Sequence, residues 1–271
     1  MSLPQISDPV DRRYRILGNV LAFLFYGFLL VPIVIVIPIA FGPTNEMAFP
    51  PRSYSFDLFR LFINSPDWID PLFQSLRVAV ATTVIVLLVG VPAAYGIVRF
   101  AFPGKTVITA TMMSSLIIPT IVTALGLYLY FSYLRITGTT LALILGHVIF
   151  TMPYVLVMMI AGIQKLDRNL EFGAQLMGAG KLRMFVTVVL PQLVPSLIGA
   201  SLFAFLISFD EVVISWFLAG PTTATLPVKM YSAIKWEVSP VIAAVSTMLT
   251  AISLVVCLIM AALQKTVPAN G

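Results

Sequence analysis

Six runs of mostly apolar residues constrain this chain more than anything else in it: roughly 16–41, 78–98, 106–134, 140–163, 188–218 and 239–263. A helix needs about 20 such residues to cross a bilayer, and each run meets that length. With 59% hydrophobic and 10% charged residues and a mean hydropathy of +1.02, the chain cannot cover itself with a polar surface, so lipid must be its solvent. Arg12, Arg13 and Arg15 before the first run imitate a signal peptide, but a run from Ile16 to about Phe41 is too long and lacks a small-residue cleavage site. It is expected to remain as the first membrane helix. Cys257, the single cysteine, excludes an intramolecular disulfide and a cysteine-based metal cluster.

Six spans put both termini on one side, and Lys and Arg distribution decides which. With the N-terminus inside, Arg12, Arg13, Arg15, Arg99, Lys105, Lys165, Arg168, Lys181, Arg183 and Lys265 are cytoplasmic. Arg52, Arg60, Arg77, Arg135, Lys229 and Lys235 lie outside, diluted by acids. The expected organisation is a cytoplasmic N-terminus (1–15), one six-helix domain (16–265) with an outer loop (42–77) and a cytoplasmic loop (164–187), and a cytoplasmic tail (266–271). The formal charge of +5 forms no basic stripe, so nucleic acid is not an expected partner. The outer loop, rich in Pro and aromatics, suits short surface helices, with Trp68 and Phe73 in an interfacial belt or in contact with a delivery protein.

Pro38, Pro92, Pro119, Pro153 and Pro195 fall inside the spans and should bend them. Bent helices around a cavity suit a transporter better than an anchor. Gly90, Ala93, Ala94 and Gly96 offer patches where helices can approach closely.

The polar interruption between spans four and five is the segment Leu170–Pro191, LEFGAQLMGAGKLRMFVTVVLP. Asp167 can cap a short helix over 168–177, Gly178 or Gly180 can end it in a left-handed conformation, and a second turn begins at Lys181. Spacing puts Leu170, Ala174 and Met177 on one face, with Glu171, Gln175 and Arg168 elsewhere, a mixed surface suited to a protein partner. Gly178, nine residues, Val188, one residue, Leu190 and Pro191 match G-x9-[IV]-x-L-P. The segment resembles the cytoplasmic coupling loop of ABC-importer permeases, consensus E-A-A-x3-G-x9-I-x-L-P. Phe172 and Gly173 stand where the first Glu and Ala belong, and Glu171 lies one residue earlier. Phe172 is expected to replace the charged contact with a hydrophobic plug. GHVIFTMPYVLVM around His147 and SFDEVVISWFLAGP with TLPVKMYSAIKWEVSP, between Ser208 and Pro240, look like the second permease subunit of the spermidine/putrescine subfamily.

The resemblance implies an all-α integral membrane protein of the type I ABC-importer permease fold, six transmembrane helices with a cytoplasmic coupling helix, in the bacterial inner membrane. It implies ATPase coupling through Glu171, Phe172, Ala174, Gly178, Leu190 and Pro191. The implied partners are a second homologous permease subunit, two ATPase subunits and an extracytoplasmic substrate-binding protein. This chain is expected to hold no cofactor and no metal and to be no enzyme, with ATP and Mg bound by the ATPase partner. GAGKL at 178–182 is not a phosphate loop, because Gln175 and Leu182 replace the required Gly and Ser/Thr.

Asp210 and Glu211 interrupt the fifth run, and intramembrane acids are functional candidates. Either they line a substrate pathway for a polyammonium cargo, or they form a solvated pair at the outer mouth. Adjacent residues point about 100° apart on a helix, so only one is expected to face the pathway. Trp216, Tyr231 and Trp236 offer cation–π contacts or an interfacial belt. Lys229 and Lys235 would repel a polycation and are read instead as partners for acidic residues on a binding protein. His147, the sole histidine, is expected to make a helix-packing hydrogen bond, with proton coupling as the alternative. Other substrates remain open, among them choline-like or aminobutyrate-like molecules and ferric iron. A passive channel and an intramembrane enzyme are the rival classes; the sixth span holds no acid, base or histidine for the latter.

Overall fold

A computed structural model of the protein describes residues 9–266, with side chains from 14 to 255. The first part of the expected cytoplasmic N-terminus (1–8), the tail after 266, and the side chains of Arg12, Arg13, Cys257 and Lys265 lie outside the described residues. Among the described residues every regular element is a helix. In chain order they are α1 (Pro9–Ala40), α2 (Asp57–Asn64), α3 (Pro66–Arg99), α4 (Lys105–Met113), α5 (Thr120–Tyr133), α6 (Thr140–Gln164), α7 (Arg168–Leu176), α8 (Lys181–Met184), α9 (Leu190–Phe209), α10 (Val213–Leu218), α11 (Leu226–Ser232) and α12 (Val241–Thr266). The chain forms two compact units, residues up to 65 with those from 233 on, and residues 66–232, where the sequence suggests one domain.

In the first unit α1 and α2 pack against α12. From Tyr14 to Val34 every residue of α1 is exposed, an apolar surface suited to lipid or to another apolar chain. The outer loop folds as its composition suggests: Leu58 and Phe62 of α2 are buried, and Phe41, Phe56 and Phe59 cluster with ring centroids 5.1–6.1 Å apart.

The second unit is built on α3, α6 and α9. Val86, Val91 and Ala94 of α3, Val155, Leu156 and Met159 of α6, and Leu193, Ala200 and Ala204 of α9 form its main core. Small residues set the helix spacing. A Cβ on Gly90 would stand 3.2 Å from Val155 Cγ1, and one on Gly162 would stand 2.5 Å from Ser196 Oγ. Gly96 contributes no such approach, since a Cβ there meets nothing within 4 Å. A second core joins Ala124 and Phe131 of α5 to Leu143 and Phe150 of α6 and to Ile214 and Leu218 of α10.

Four of the six expected runs are continuous helices long and apolar enough to span: Tyr14–Ala40, Pro66–Arg99, Thr140–Gln164 and Lys181–Phe209. The boundaries 78–98 are corrected, because α3 runs twelve residues further toward its N-terminus. Hydropathy misses that stretch, which contains Gln74 and Ser75, but both are buried with partners: Gln74 Nε2 donates to Thr140 Oγ1 at 2.9 Å and Ser75 Oγ accepts from Leu226 N at 2.8 Å. Trp68 is likewise buried rather than in a belt. The run 106–134 breaks into α4 and α5, bent by 107°. Pro119, the N-cap of α5, lacks an N–H and itself lies outside the helical region at φ −54°, ψ 134°. The run 188–218 is broken at 210–212, so its end is the separate α10.

The Gly162 contact gives a direct test. Gly162→Val pushes two branches into Ser196 and Leu193 and should destabilise the α6–α9 packing by about 2 kcal/mol, read as a lower melting temperature of the purified protein in detergent.

Candidate functional site

The polar loop folds as two short helices across one end of the second unit. Asp167 caps α7, its carboxylate accepting from Asn169 N at 2.9 Å. Gly178, with φ +86°, ends it: Gly178 N donates to Gln175 O and Ala179 N to Ala174 O, the paired bonds of a Schellman turn. Gly180 is extended and caps α8 instead. From α8 the chain passes through a single π-helical turn, Phe185–Val189, into α9. Pro191 causes this widening. It has no N–H for a residue four back and its ring crowds that carbonyl, so Leu190 N reaches five back to Phe185 O.

The inward face of α7 carries Glu171 and Ala174, one turn apart. Glu171 is only 6% exposed, and its carboxylate meets α3. Oε1 accepts from Arg99 Nε at 2.7 Å and pairs with Arg99 Nη2 at 2.6 Å, while Oε2 accepts the Tyr95 hydroxyl at 2.7 Å. Arg99 Nη2 also donates to Leu166 O at 3.2 Å. Glu171 is therefore an internal anchor, which corrects its expected place on a mixed outer face. The expected apolar face of Leu170, Ala174 and Met177 is corrected too, because Ala174 points inward. The outward apolar set is Leu170, Phe172, Leu176, Met177 and Leu182, with Leu176 90% and Met177 86% exposed. Arg168 lies over the half-exposed Phe172 ring at 5.3 Å. Leu190 packs against the main core, and Pro191 is exposed at the start of α9.

At the other candidate region, α9 ends at Phe209. Asp210 is its exposed C-cap. Glu211 is half-buried and turns onto the next helix, Oε1 accepting from Ile214 N at 2.9 Å. Asp210 thus ends α9 and Glu211 turns onto α10, on a break rather than along one helix. His147 on α6 secures that break. Its Nδ1 lies 2.8 Å from Ser208 Oγ on α9 and its Nε2 2.9 Å from Ser215 Oγ on α10. A neutral imidazole has one donor and one acceptor, and a serine hydroxyl serves as either, so both bonds persist in either tautomer. The expected packing bond is present, and a second with it. Trp216 and Tyr231 meet edge to face at 5.0 Å, both partly exposed. Trp236 belongs to the other unit, where Lys235 lies 5.5 Å over its ring.

A family model described as the binding-protein-dependent transport system inner membrane component matches residues 86–269. The chain belongs to that family. Among its curated relatives is the spermidine/putrescine transport system permease protein PotC of Escherichia coli (strain K12), 29% identical over 245 residues, covering 89% of this chain and 91% of that protein. The PotC homolog of Mycoplasma genitalium is 32% identical over 209 residues, covering 76% of this chain and 72% of that protein. Among solved structures, a bacterial ABC transporter involved in the import of the acidic polysaccharide alginate shares the fold. Its TM-score is 0.76 at 16% identity, over 98% of this chain and 100% of that chain. The protein is a multi-pass, all-helical inner membrane component of the ABC-importer permease fold.

Tyr95, Arg99, Ser208 and Ser215 are partners of Glu171 and His147 that the sequence did not single out as such. Arg99 reads only as a topology charge, although Tyr95 one turn before it shares its face. The serines flank the acid pair, a spacing that hints at a bridging partner without naming it.

His147→Ala would leave two buried hydroxyls without partners and a void between α6 and α10. It should cost about 3 kcal/mol, while His147→Asn, which keeps one donor and one acceptor, should cost less. Thermal unfolding of the two variants side by side checks the order.

Proposed function

We propose that this permease is one of two membrane subunits of an ATP-driven importer for polyamines of the spermidine and putrescine class. The observation that carries the reading is similarity to spermidine/putrescine permeases over nearly nine-tenths of the chain. A homologous second permease subunit supplies the other half of the pathway. An extracytoplasmic binding protein delivers the substrate, in keeping with the family's description. Two ATPase subunits, which bind ATP and Mg, dock beneath α7 and α8 and do the hydrolysis, so this chain is not itself an enzyme and holds no cofactor. Both termini are cytoplasmic. Arg99, Lys105, Lys165, Arg168, Lys181 and Arg183 support that side, since the Arg99–Glu171 pair brings the end of α3 to the α7 loop.

The coupling role falls to the exposed apolar set on α7 and α8, led by Phe172 and Leu176, while Ala174, Gly178, Leu190 and Pro191 shape the loop and Glu171 anchors it. In the pathway Asp210 meets the ammonium groups, because Glu211 is occupied as the cap of α10, and Trp216 with Tyr231 offers ring faces to a cation.

Two measurements test this. Phe172→Ala with Leu176→Ala should strip the ATPase from the complex on affinity purification, and full retention would count against the docking face. At matched expression, Asp210→Asn should lower spermidine uptake about tenfold; undiminished uptake would remove Asp210 from substrate recognition.

A further inference from the structure

The Arg99–Glu171–Tyr95 cluster does more than α7 itself requires. That helix already has its cap at Asp167 and its terminator at Gly178. Its covalent links run to α6 through residues 165–167 and to α8 through residues 177–180. Neither reaches α3, which is 72 residues away in sequence at the Arg99 contact. We propose that this buried clasp is the link through which displacement of the coupling helix moves α3, with Arg99 and Tyr95 as positioning residues that hold Glu171. The inference rests on the coupling role given to this loop above.

The geometry suits transmission. Arg99 presents two nitrogens of one planar guanidinium to Oε1, and Tyr95 holds Oε2, so the carboxylate cannot swing about either oxygen. Tyr95 and Arg99 are four residues apart, so the grip extends over a full turn of α3. Arg99 also holds the Leu166 carbonyl just before α7, which ties the hinge between α6 and α7 to the same point. Side-chain packing resists approach steeply and withdrawal through dispersion and apolar burial, both without direction. A buried ion pair resists both, because separation leaves each charge unpaired in a poor dielectric.

α3 then carries the displacement. It is one continuous helix of 34 residues with Pro71 and Pro92 inside it, a contour of about 51 Å at 1.5 Å per residue. At its far end Gln74 and Ser75 are bonded to Thr140 and Leu226. A shift applied at Arg99 is delivered there, to the loops on the opposite face.

The test uses the complete importer reconstituted in liposomes with its binding protein, measuring spermidine taken up per ATP hydrolysed and the amount of ATPase bound per permease. In R99M/E171M both charges are replaced together by apolar side chains, which avoids an unpaired buried ion. We expect this variant to keep its ATPase while uptake per ATP falls about tenfold, and Tyr95→Phe to lower the ratio about threefold. A clasp with only a structural role would lower the amount of complex and its uptake together. An unchanged ratio in R99M/E171M overturns the proposal. If that variant does not assemble, an unchanged ratio in Tyr95→Phe overturns it equally. Failure of the unaltered permease to retain an ATPase would sink the coupling reading instead, a separate outcome.

Discussion

A backbone group released from its helix inside a bilayer has no water to turn to, and the second unit is organised around meeting that demand at three interruptions. At the corner between α4 and α5, Ile117 N and Ile118 N both return to Ser114 O, and Val122 N closes on Pro119 O at 2.9 Å. Before Pro191 the ladder shifts to a π turn, and the Gln192 side chain donates to Val188 O at 2.7 Å. At 210–212 the repair is made by side chains: Glu211 caps α10, and His147 joins the helices on both sides. Serines, an imidazole and a carboxylate in an apolar setting are therefore parts of the scaffold before they are anything else.

The same economy ties the ends of the bundle. At one face Arg99, Tyr95 and Glu171 connect α3 to α7. At the other, Gln74 and Ser75 connect α3 to the first residues of α6 and α11, Thr140 and Leu226. There the two loops approach backbone to backbone: Gly138 N donates to Leu218 O at 2.9 Å, and a Cβ on Gly220 would stand 3.0 Å from the Gly138 carbonyl oxygen. A side chain at Gly220 would press the two backbones apart by a few tenths of an ångström. α3 is common to both sets of bonds, and it is the longest helix of this unit.

Much of this was legible in the sequence where the governing physics is local. Apolar runs marked every long helix, Asp167 and Gly178 bounded α7, and Pro119 marked the break between α4 and α5, while Pro38, Pro92, Pro153 and Pro195 lie inside continuous helices. Local reasoning failed where partners lie far apart along the chain. Glu171 looked like a surface charge because its partners Arg99 and Tyr95 are 72 and 76 residues away. The break at 210–212 was hidden for a related reason. Val212–Leu218 is apolar enough to extend a span, and only the His147 bonds across 61 and 68 residues show how the chain can stop and restart there. Hydropathy also stopped short of the start of α3, since Asp67, Asp70 and Arg77 are charged and exposed there, while Gln74 and Ser75, polar too, are buried with partners.

The fold by itself says little about cargo. The alginate transporter with which it shares architecture handles an acidic polysaccharide, while the sequence relatives are named for polycations. The shared architecture does not set the charge of the cargo, and for the polyamine reading proposed above Lys229 is the hard case. The structure places it 5.4 Å over the Trp68 ring, lining a surface cavity of about 380 Å³ together with Asp67 and Asp70. Two carboxylates and one ammonium share that cavity, so its formal charge is negative and the lysine is held against a ring face in acidic company. Its repulsion is offset locally, whereas Asp210 sits exposed at a helix end whose dipole adds further negative character.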